Sequence, residues 1–351
     1  MGYYDYRGVI HLHSKYSYDG RIAVGDILAA ARRADIDFLM LTDHSCLAAR
    51  RQGQEGWHEG VLLVVGQEIT PRFNHYLAFG MDREIEADEQ DEMPPQAYID
   101  DVRRSGGIGF IAHPDHEGTE MFHVKHFPWN DWNVSGYTGL GIWDFMTDWQ
   151  SSLTSYPRAM LSFLMPALFL KGPRDVTLAR WDRLTRRAKI VGIGELDNHD
   201  TPQKVLGITF NVFRFSRAFR FISTHLLLER PFTGDASRDI PALLAALAHG
   251  RAYAALEFFH PSAGFSFWIS DGHCAATMGD TFRRTAAAGL DVALPTKGKI
   301  RIIKDGRLFH ERIAREVHCV VHDSGVYRVE VELKSYLKYR PWIFSNPIYV
   351  S

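Results

Sequence analysis

Two histidines near the start of the chain, His11 and His13, are separated by one residue and followed by Asp19. On an extended segment, residues i and i+2 point to the same face, so both imidazoles can converge on one ion. Neutral imidazole is the commonest metal ligand in proteins, and a nearby carboxylate supplies negative charge. The spacing therefore predicts a metal site and a hydrolase, whose remaining ligands must lie further along the chain.

Further polar residues follow apolar runs of the sequence. His44, Glu68, His113 and the pair Asp197 and His199 each come just after a run that predicts a strand. Taken singly, each suits an ordinary role in a turn or a helix cap. In α/β barrels, however, the carboxyl ends of the strands carry the active site, so these residues are expected to meet there. With His75, they give nine candidate metal ligands: His11, His13, Asp19, His44, Glu68, His75, His113, Asp197 and His199. Nine ligands exceed the needs of one tetrahedral ion and would suit two or three divalent ions.

Hydrophobic periodicity predicts alternating strands and helices over the first 250 residues. The strand-like runs are 9–12, 38–42, 61–65, 76–79, 108–112, 140–145 and 190–193, and the helix-like segments are 24–34, 95–105 and 176–188. Such alternation predicts an α/β fold with a mainly parallel sheet or barrel. After about residue 250, short alternating runs separated by turns predict a small antiparallel β domain resembling a sandwich.

The composition excludes several classes of protein. Of the 351 residues 46% are hydrophobic, and 40 basic against 42 acidic residues give a net charge of −2. Because there is no basic excess, nucleic acid is not an expected partner except as a nucleotide substrate. The three cysteines are widely spaced, which predicts no disulfide framework and a reducing compartment.

No targeting or membrane segment is expected. The N-terminus lacks the basic start and apolar stretch of a signal peptide. The most apolar stretch, residues 159–170, is interrupted by Pro166 and is too short to span a bilayer. We therefore expect a cytoplasmic protein without a membrane partner, in which this stretch forms a core or cap helix or an oligomer contact.

As a set, the sequence blocks around the candidate ligands resemble the polymerase and histidinol phosphatase (PHP) family. The blocks, in order, are His11-Leu12-His13-Ser14 with Asp19-Gly20, Leu41-Thr42-Asp43-His44, Gly66-Gln67-Glu68, His113-Pro114 and Gly194-Glu195-Leu196-Asp197-Asn198-His199. The resemblance implies a distorted (β/α)7 barrel over residues 1–250, with a trinuclear centre of zinc, manganese or iron. Three C-terminal blocks are Gly250-Arg251-Ala252-Tyr253, Lys304-Asp305-Gly306 and Arg340-Pro341-Trp342-Ile343-Phe344. They resemble the carbaryl hydrolase branch of the family, in which a β-sandwich follows the barrel, here residues 251–351.

The resemblance also implies a distribution of ligands over three ions. His11, His13, Glu68 and Asp197 would hold one ion, and Asp19, His44 and His199 a second. Glu68 would bridge to a third ion held with His75 and His113. Glu68, Asp197 and His199 are the predicted catalytic residues. Glu195 is an additional carboxylate that the family pattern does not explain, and it is expected either to support a metal ligand or to lie in solvent.

These observations predict a metal-dependent phosphoesterase that hydrolyses phosphate esters with a metal-activated water. Substrate contacts are expected from a loop after His113 and from nearby cations: Arg72, His116, His123 and Lys125. One alternative is a hydrolase of carbamates or carboxylic esters, in which the same nucleophile attacks carbon. Another is a catalytically silent protein that binds metal or carbohydrate.

Overall fold

Most strands of the first 230 residues are apolar runs buried on both faces, which is typical of a sheet covered by helices. The computed structural model describes residues 2–351 except 89, 121–123, 206–207 and 284–287. The strands are β1 (Tyr4–Ile10), β2 (Phe38–His44), β3 (Gly56–His58), β4 (Val61–Ile69), β5 (Tyr76–Phe79), β6 (Ile108–Ile111), β7 (Gly139–Asp144), β8 (Val191–Glu195), β9 (Pro202–Val205), β10 (Ile208–Asn211), β11 (Ile222–Leu228), β12 (Ala252–Leu256), β13 (Ser266–Ser270), β14 (Ala275–Thr277), β15 (Thr281–Phe282), β16 (Gly289–Lys304), β17 (Arg307–Val320), β18 (Gly325–Ser335), β19 (Lys338–Ser345) and β20 (Ile348–Val350). The α-helices are α1 (Val24–Arg33), α2 (Ala48–Arg51), α3 (Pro95–Arg104), α4 (Phe145–Gln150), α5 (Tyr156–Leu164), α6 (Asp175–Thr185), α7 (Phe215–Ala218) and α8 (Ala236–His249).

One large mixed sheet connects most of these strands and positions the candidate site. β1 lies between β2, to which it is parallel, and β11, to which it is antiparallel. From β2 the sheet continues in parallel to β4, and further along it runs in parallel from β6 through β7 to β8. The predicted α/β fold is therefore confirmed, and the carboxyl ends of these parallel strands lie at the same edge.

β5 departs from the predicted mainly parallel order, because it pairs antiparallel with both β4 and β6. Only residues 70–75 connect β4 to β5. A parallel crossover needs about a dozen residues or more, so the chain can only reverse its direction here. As a result, the start of β5 lies beside the end of β4, and His75 lies beside Glu68.

The sheet does not close into a barrel through a ladder of paired strands. In the described part of the chain, β8 pairs only with β7. Across the remaining gap, Gly194 N–H donates to Thr224 Oγ1 at 2.9 Å. Beyond the strand ends, one parallel bridge joins Leu12 to Asn198. A closed seven-stranded barrel is therefore not observed, because isolated hydrogen bonds, such as that from Leu196 N–H to Ile10 O at 3.0 Å, and one bridge stand in place of a ladder.

The last hundred residues continue the sheet with antiparallel strands. β12 pairs with β11 on one side and with β19 on the other. One long strand, β16, takes the place of two of the short runs expected here, and its register shifts between Ala293 and Gly298. β16 pairs antiparallel with both β17 and β18, and the buried side chains of these strands form a core cluster of their own.

Residues 159–170, the predicted cap helix or oligomer contact, form the second half of α5 and a short turn of 3-10 helix. The α5 side chains Tyr156, Met160 and Leu164 are exposed. An oligomer contact at this helix stays a prediction. None of the helices in the described residues is long and apolar enough to cross a membrane.

A buried ionic network joins β1 to β11 and to the end of β12. His225 Nδ1 lies 2.8 Å from Asp5 Oδ1, and His225 Nε2 lies 3.2 Å from Glu257 Oε1. Burial alone lowers the pKa of His225, but the hydrogen bonds to both carboxylates outweigh it and raise the pKa to about 9. The imidazole is therefore protonated at neutral pH, where it offsets two buried negative charges.

We expect the protein to lose stability above neutral pH because of His225. A group whose pKa is raised by folding stabilises the protein fully below its ordinary pKa of 6.5, and this contribution is gone once the pH exceeds about 9. In urea unfolding, the free energy should fall by about 1 kcal/mol per pH unit between these limits. His225→Gln should remove this share of the slope, since other histidines with a raised pKa such as His44 contribute the rest, and an unchanged slope would contradict the assignment.

Candidate metal centre

Glu68, at the end of β4, is the centre of the candidate site. Its side chain is 1% exposed, and its two oxygens face different histidines. Oε2 faces three imidazole nitrogens, at 3.3, 3.5 and 3.0 Å respectively: His11 Nε2, His13 Nε2 and His44 Nδ1. Oε1 faces two more, at 3.1 and 3.2 Å: His75 Nδ1 and His113 Nε2. One buried carboxylate thus lies among five imidazoles, and each of its oxygens could serve a different ion.

Two aspartates extend this arrangement towards the surface. Asp197 Oδ1 lies 3.3 Å from His11 Nε2 and 3.5 Å from His13 Nε2. Asp19 Oδ2 lies 3.3 Å from His44 Nε2 and 3.1 Å from His199 Nε2. The structure therefore brings all nine predicted ligands together, from six different strand ends and loops.

The spacing and bonding of these atoms fit divalent ions. Donors bound to one ion at roughly 2.0–2.2 Å lie roughly 3.0–3.5 Å from one another, which is the range observed here. Three of these donor atoms are also buried without a hydrogen-bond partner in the described residues, His11 Nε2, His13 Nε2 and His44 Nδ1, and so is the other oxygen of Asp19, Oδ1. Buried polar atoms are normally satisfied, so their number here indicates that the site is built to hold cations.

The backbone at the strand ends is held in conformations that L-residues avoid. His11, His113 and Asp197 have φ angles of 69°, 27° and 49°, in the left-handed region. His11 is therefore not part of an extended segment, contrary to the premise used for the His11 and His13 pair. Interlocking bonds maintain the strained residues, since Asp197 N–H donates to His11 O at 2.8 Å and His13 N–H to Asn198 O at 3.2 Å. Strain of this kind is concentrated at functional sites.

Glu195, the carboxylate that the family pattern does not explain, orients His11. It is fully buried, and its Oε2 lies 2.8 Å from His11 Nδ1. Its Oε1 accepts the backbone N–H of His113 at 3.0 Å. When the Nδ1–H of His11 donates to Glu195, Nε2 is left as a lone-pair donor that faces Glu68 and Asp197. Gly141 makes room for the carboxylate, because a Cβ there would lie 1.2 Å from Glu195 Oε1.

Ser17 and Asp43 orient His13, as Glu195 orients His11. Ser17 O–H donates to Asp43 Oδ1 at 3.0 Å, so the Ser17 oxygen is free to accept the Nδ1–H of His13 at 3.1 Å. Ser14 donates to the same carboxylate through its N–H and its O–H, at 2.6 and 2.8 Å. Successive residues of a strand point to opposite faces, which is why His44 faces the ligands and Asp43 lies behind them.

Ser17→Ala is expected to lower metal affinity by about 10- to 100-fold, because it removes the acceptor that fixes the tautomer of His13. Ser14→Ala is the matched control, since it removes one bond to Asp43 and none to His13. Competition with a chelator of known affinity would measure both variants. Equal losses in the two would show that Asp43 matters only for folding.

The carboxylates set the charge of the site. Burial raises the pKa of Glu68, but the charges of His11 and His44 outweigh it and hold that pKa well below its usual range. Burial raises the pKa of Asp197, but the positive charge of His11 leads the effects that outweigh it and lower that pKa. Burial lowers the pKa of His44, but Glu68 and Asp19 raise it to about 10. The ionised carboxylates thus attract positive charge, which cations can supply in place of protons.

The residues predicted to bind substrate are placed less favourably. His116 is buried, with Nε2 at 2.9 Å from Gln150 Oε1 and with Nδ1 accepting the N–H of Phe127 at 3.3 Å. Arg72 lies at the surface, 3.3 Å from Glu92. Lys125 is exposed, with its Nζ 6.0 Å from the ring centroid of Phe127, and His123 lies outside the described residues. Contact of these four residues with a substrate stays a prediction.

Asp144, the last residue of β7, lies at the same edge of the sheet as the candidate ligands, and the sequence did not reveal it. It was included in a strand predicted over 140–145, although the rule applied to the other strand ends would have selected it. Its Oδ1 accepts Thr147 N–H at 2.6 Å, and its Oδ2 has no partner in the described residues. Burial and the neighbouring charges of Asp197 and Glu195 raise its pKa to about 8.

Comparisons with known proteins find only remote similarity. No family profile and no curated protein matches the sequence. Among solved structures, the fold is similar to a two-domain protein from Bacteroides vulgatus that contains a predicted PHP-like metal-dependent phosphoesterase, at 15% identity and a TM-score of 0.42, over 98% of this chain and 95% of that one. A candidate metal-dependent phosphoesterase from Bifidobacterium adolescentis matches at 14% identity and a TM-score of 0.32, over 58% of this chain and 92% of that one. An amidohydrolase from Chromobacterium violaceum with bound sulfate and no metal matches at 15% identity and a TM-score of 0.31, over 60% of this chain and 93% of that one. At such distances the chemistry of this chain is defined by its own residues.

Proposed function

We propose that this chain is a metal-dependent phosphoesterase that hydrolyses phosphate esters at a trinuclear centre. The observation that carries the proposal is the position of Glu68, whose two oxygens face two different sets of histidines. A carboxylate in this position can bridge neighbouring ions. Closely spaced divalent ions suit the several oxygens of a phosphoryl group.

Three donor sets, of which the first and the third share Glu68, would hold the ions. The first comprises His11, His13, Glu68 and Asp197, the second Asp19, His44 and His199, and the third Glu68, His75 and His113. Imidazole and carboxylate donors suit zinc, manganese and iron alike. The identity of the metal therefore has to come from measurement.

Bound divalent ions would stabilise charge on the phosphoryl oxygens and lower the pKa of the attacking water. The protein residues position the reaction. Glu195 and Ser17 each fix the tautomer of one histidine. Phe127 covers His75, with ring centroids 4.9 Å apart, and excludes water from that side. We assign catalytic roles to Glu68, Asp197 and His199, which would hold the ions beside the reacting phosphoryl group.

The charge balance favours phosphorus over carbon as the atom attacked. Glu68, Asp19 and Asp197 contribute three negative charges, fewer than the positive charges of three divalent ions. The loaded centre would therefore be cationic and would attract a phosphate dianion strongly, but an uncharged carbamate or carboxylic ester only weakly.

We extend the proposal to the architecture. Residues 1–250 are assigned to a distorted (β/α)7 barrel that carries the centre, and residues 251–351 to a β-sandwich-like domain. The seven-strand barrel is completed in this proposal by the contact between β8 and β1, where Leu12 and Asn198 form their bridge. The relation to the carbaryl hydrolase branch stays a prediction.

Elemental analysis and a substrate panel test the proposed function. Protein prepared with manganese, zinc or iron should retain about two or three ions per chain. Each preparation should hydrolyse aryl phosphates faster than the corresponding aryl esters and carbamates. Absence of both bound metal and phosphate hydrolysis would overturn the proposal. Faster cleavage of the carboxylic esters or carbamates would favour a hydrolase that attacks carbon. Metal retained without any hydrolysis would favour a catalytically silent metal-binding protein.

A further inference from the structure

The nine donors are accessible from one side. The side chains of Asp19, His199 and Asp197 are 37%, 19% and 18% exposed, whereas that of Glu68 is 1% exposed. On the opposite side, His75 is buried under the ring of Phe127. A substrate must therefore reach the centre past Asp19 and His199.

Tyr18 stands at this entrance. It precedes Asp19 in the chain and is 66% exposed. Its ring stacks on the imidazole of His44, with centroids 4.7 Å apart and planes inclined by 18°. Single exposed aromatic residues are common and usually carry no meaning. Tyr18 differs from these, because one face of its ring is held against a candidate metal ligand and the ring lies where the substrate must pass.

The loop that carries Tyr18 is tightly folded. Ser17 N–H donates to Ser14 O at 3.1 Å, and Gly20 N–H donates to Ser17 O at 3.2 Å. A Cβ on Gly20 would come within 2.0 Å of Ser14 O, so the turn tolerates only glycine without movement. Tyr18 is thus presented at a fixed place, and a group that stacks on it loses little of its affinity to ordering of the protein.

We propose that Tyr18 determines substrate specificity by stacking on a planar aromatic group, so that the preferred substrates are phosphate esters of aromatic or similarly flat alcohols. This inference rests on the proposed phosphoesterase function. Aromatic rings attract one another through offset stacking beyond the effect of buried area, whereas a saturated ring of the same size gains only the latter. The phosphoryl group would face Asp19 and His199 while the ring lies on Tyr18.

Binding of two phosphonates to the manganese-loaded protein tests the inference without relying on turnover. Phenylphosphonate and cyclohexylphosphonate have the same charge and ring size and differ in planarity. Calorimetry should show that Tyr18→Ala and Tyr18→Leu lower the affinity for phenylphosphonate about 3- to 10-fold. In the same two variants, the affinity for cyclohexylphosphonate should change less than about 2-fold. Tyr18→Phe should bind both phosphonates with the affinity of the parent protein. Tyr336→Ala, at a tyrosine that is 72% exposed in the turn between β18 and β19, is the matched control.

The outcomes separate this inference from the proposed function. Suppose that the parent protein binds metal and hydrolyses phosphate esters, and that the Tyr18 variants lower the affinity for both phosphonates equally or for neither. The role proposed for Tyr18 is then wrong, and the proposed function stands. Metal content of each variant must be measured, because a loss of metal would also weaken both ligands equally. If the parent protein binds neither metal nor phosphonate, the proposed function fails and the inference fails with it.

Discussion

Glu68→Gln is expected to abolish metal binding and to lower kcat/KM for phosphate esters by about 10³-fold or more, since Lewis-acid stabilisation supplies several kcal/mol to the transition state. The glutamine has nearly the same shape, but its amide has one oxygen and one NH2 group, so it cannot offer an oxygen to both sets of histidines. The remaining donors would lose both the negative charge and the bridge between the sets. Elemental analysis and steady-state kinetics measure the two effects.

Thermal unfolding distinguishes this loss from a failure to fold. A ligand that binds only the folded state stabilises it, so added manganese should raise the Tm of the parent protein. The Tm of Glu68→Gln should not respond to manganese, although the variant should still unfold cooperatively. Glu229→Gln, at a side chain that is 63% exposed, is the control and should respond as the parent does. A Glu68→Gln variant with normal metal content would remove the basis of the proposed function.

Gly141→Ala is expected to have the second largest effect, although Gly141 touches no candidate ligand directly. An added Cβ would lie 1.2 Å from Glu195 Oε1, so the carboxylate would have to leave its place. Its bonds to His11 Nδ1 and to the His113 N–H would be lost together. Overpacking combined with a broken buried charged interaction should lower the free energy of unfolding by about 3–5 kcal/mol. Urea unfolding and metal titration measure the change.

Two further variants make this prediction specific. Gly25→Ala in α1 adds the same methyl group where nothing lies within 4 Å, and it should stabilise the protein by about 0.5–1 kcal/mol. Adding Glu195→Asp to Gly141→Ala withdraws the carboxylate by one methylene and should restore much of the stability without restoring metal affinity. Parent-like stability of Gly141→Ala alone would show that the carboxylate can move at little cost.

The sequence was sufficient to predict which residues gather at the site. His44, Glu68 and His113 each come within three residues of the end of an apolar run, and parallel strands place their carboxyl ends together. The role of Glu195 could not be predicted, because it depends on a glycine of the neighbouring strand that has no pattern of its own. Asp144 was hidden between Trp143 and Phe145, which extend the apolar pattern across it.

The sequence predicted most of the strands and several helices of the first 250 residues, but not which strands pair or in which direction. Local periodicity identified most of the first eight strands and three of the helices between them. It gave no indication that β1 pairs with β11, since the partners lie more than two hundred residues apart. The antiparallel direction of β5 follows from the length of a connection, which the sequence shows but hydrophobic periodicity ignores.

The pairing of β1 with β11 has a consequence for synthesis of the protein. Tyr4 pairs with Leu228, so the first strand lacks one neighbour until about two thirds of the chain has been made. At about 5–20 residues per second, the ribosome needs about 10–45 s to cover that distance. For most of this time His11 and His13 are present without Glu195 and Asp197, which are translated shortly before Leu228. The nine candidate ligands are therefore present together only after residue 199 has been translated, and a shorter nascent chain carries only the earlier ones.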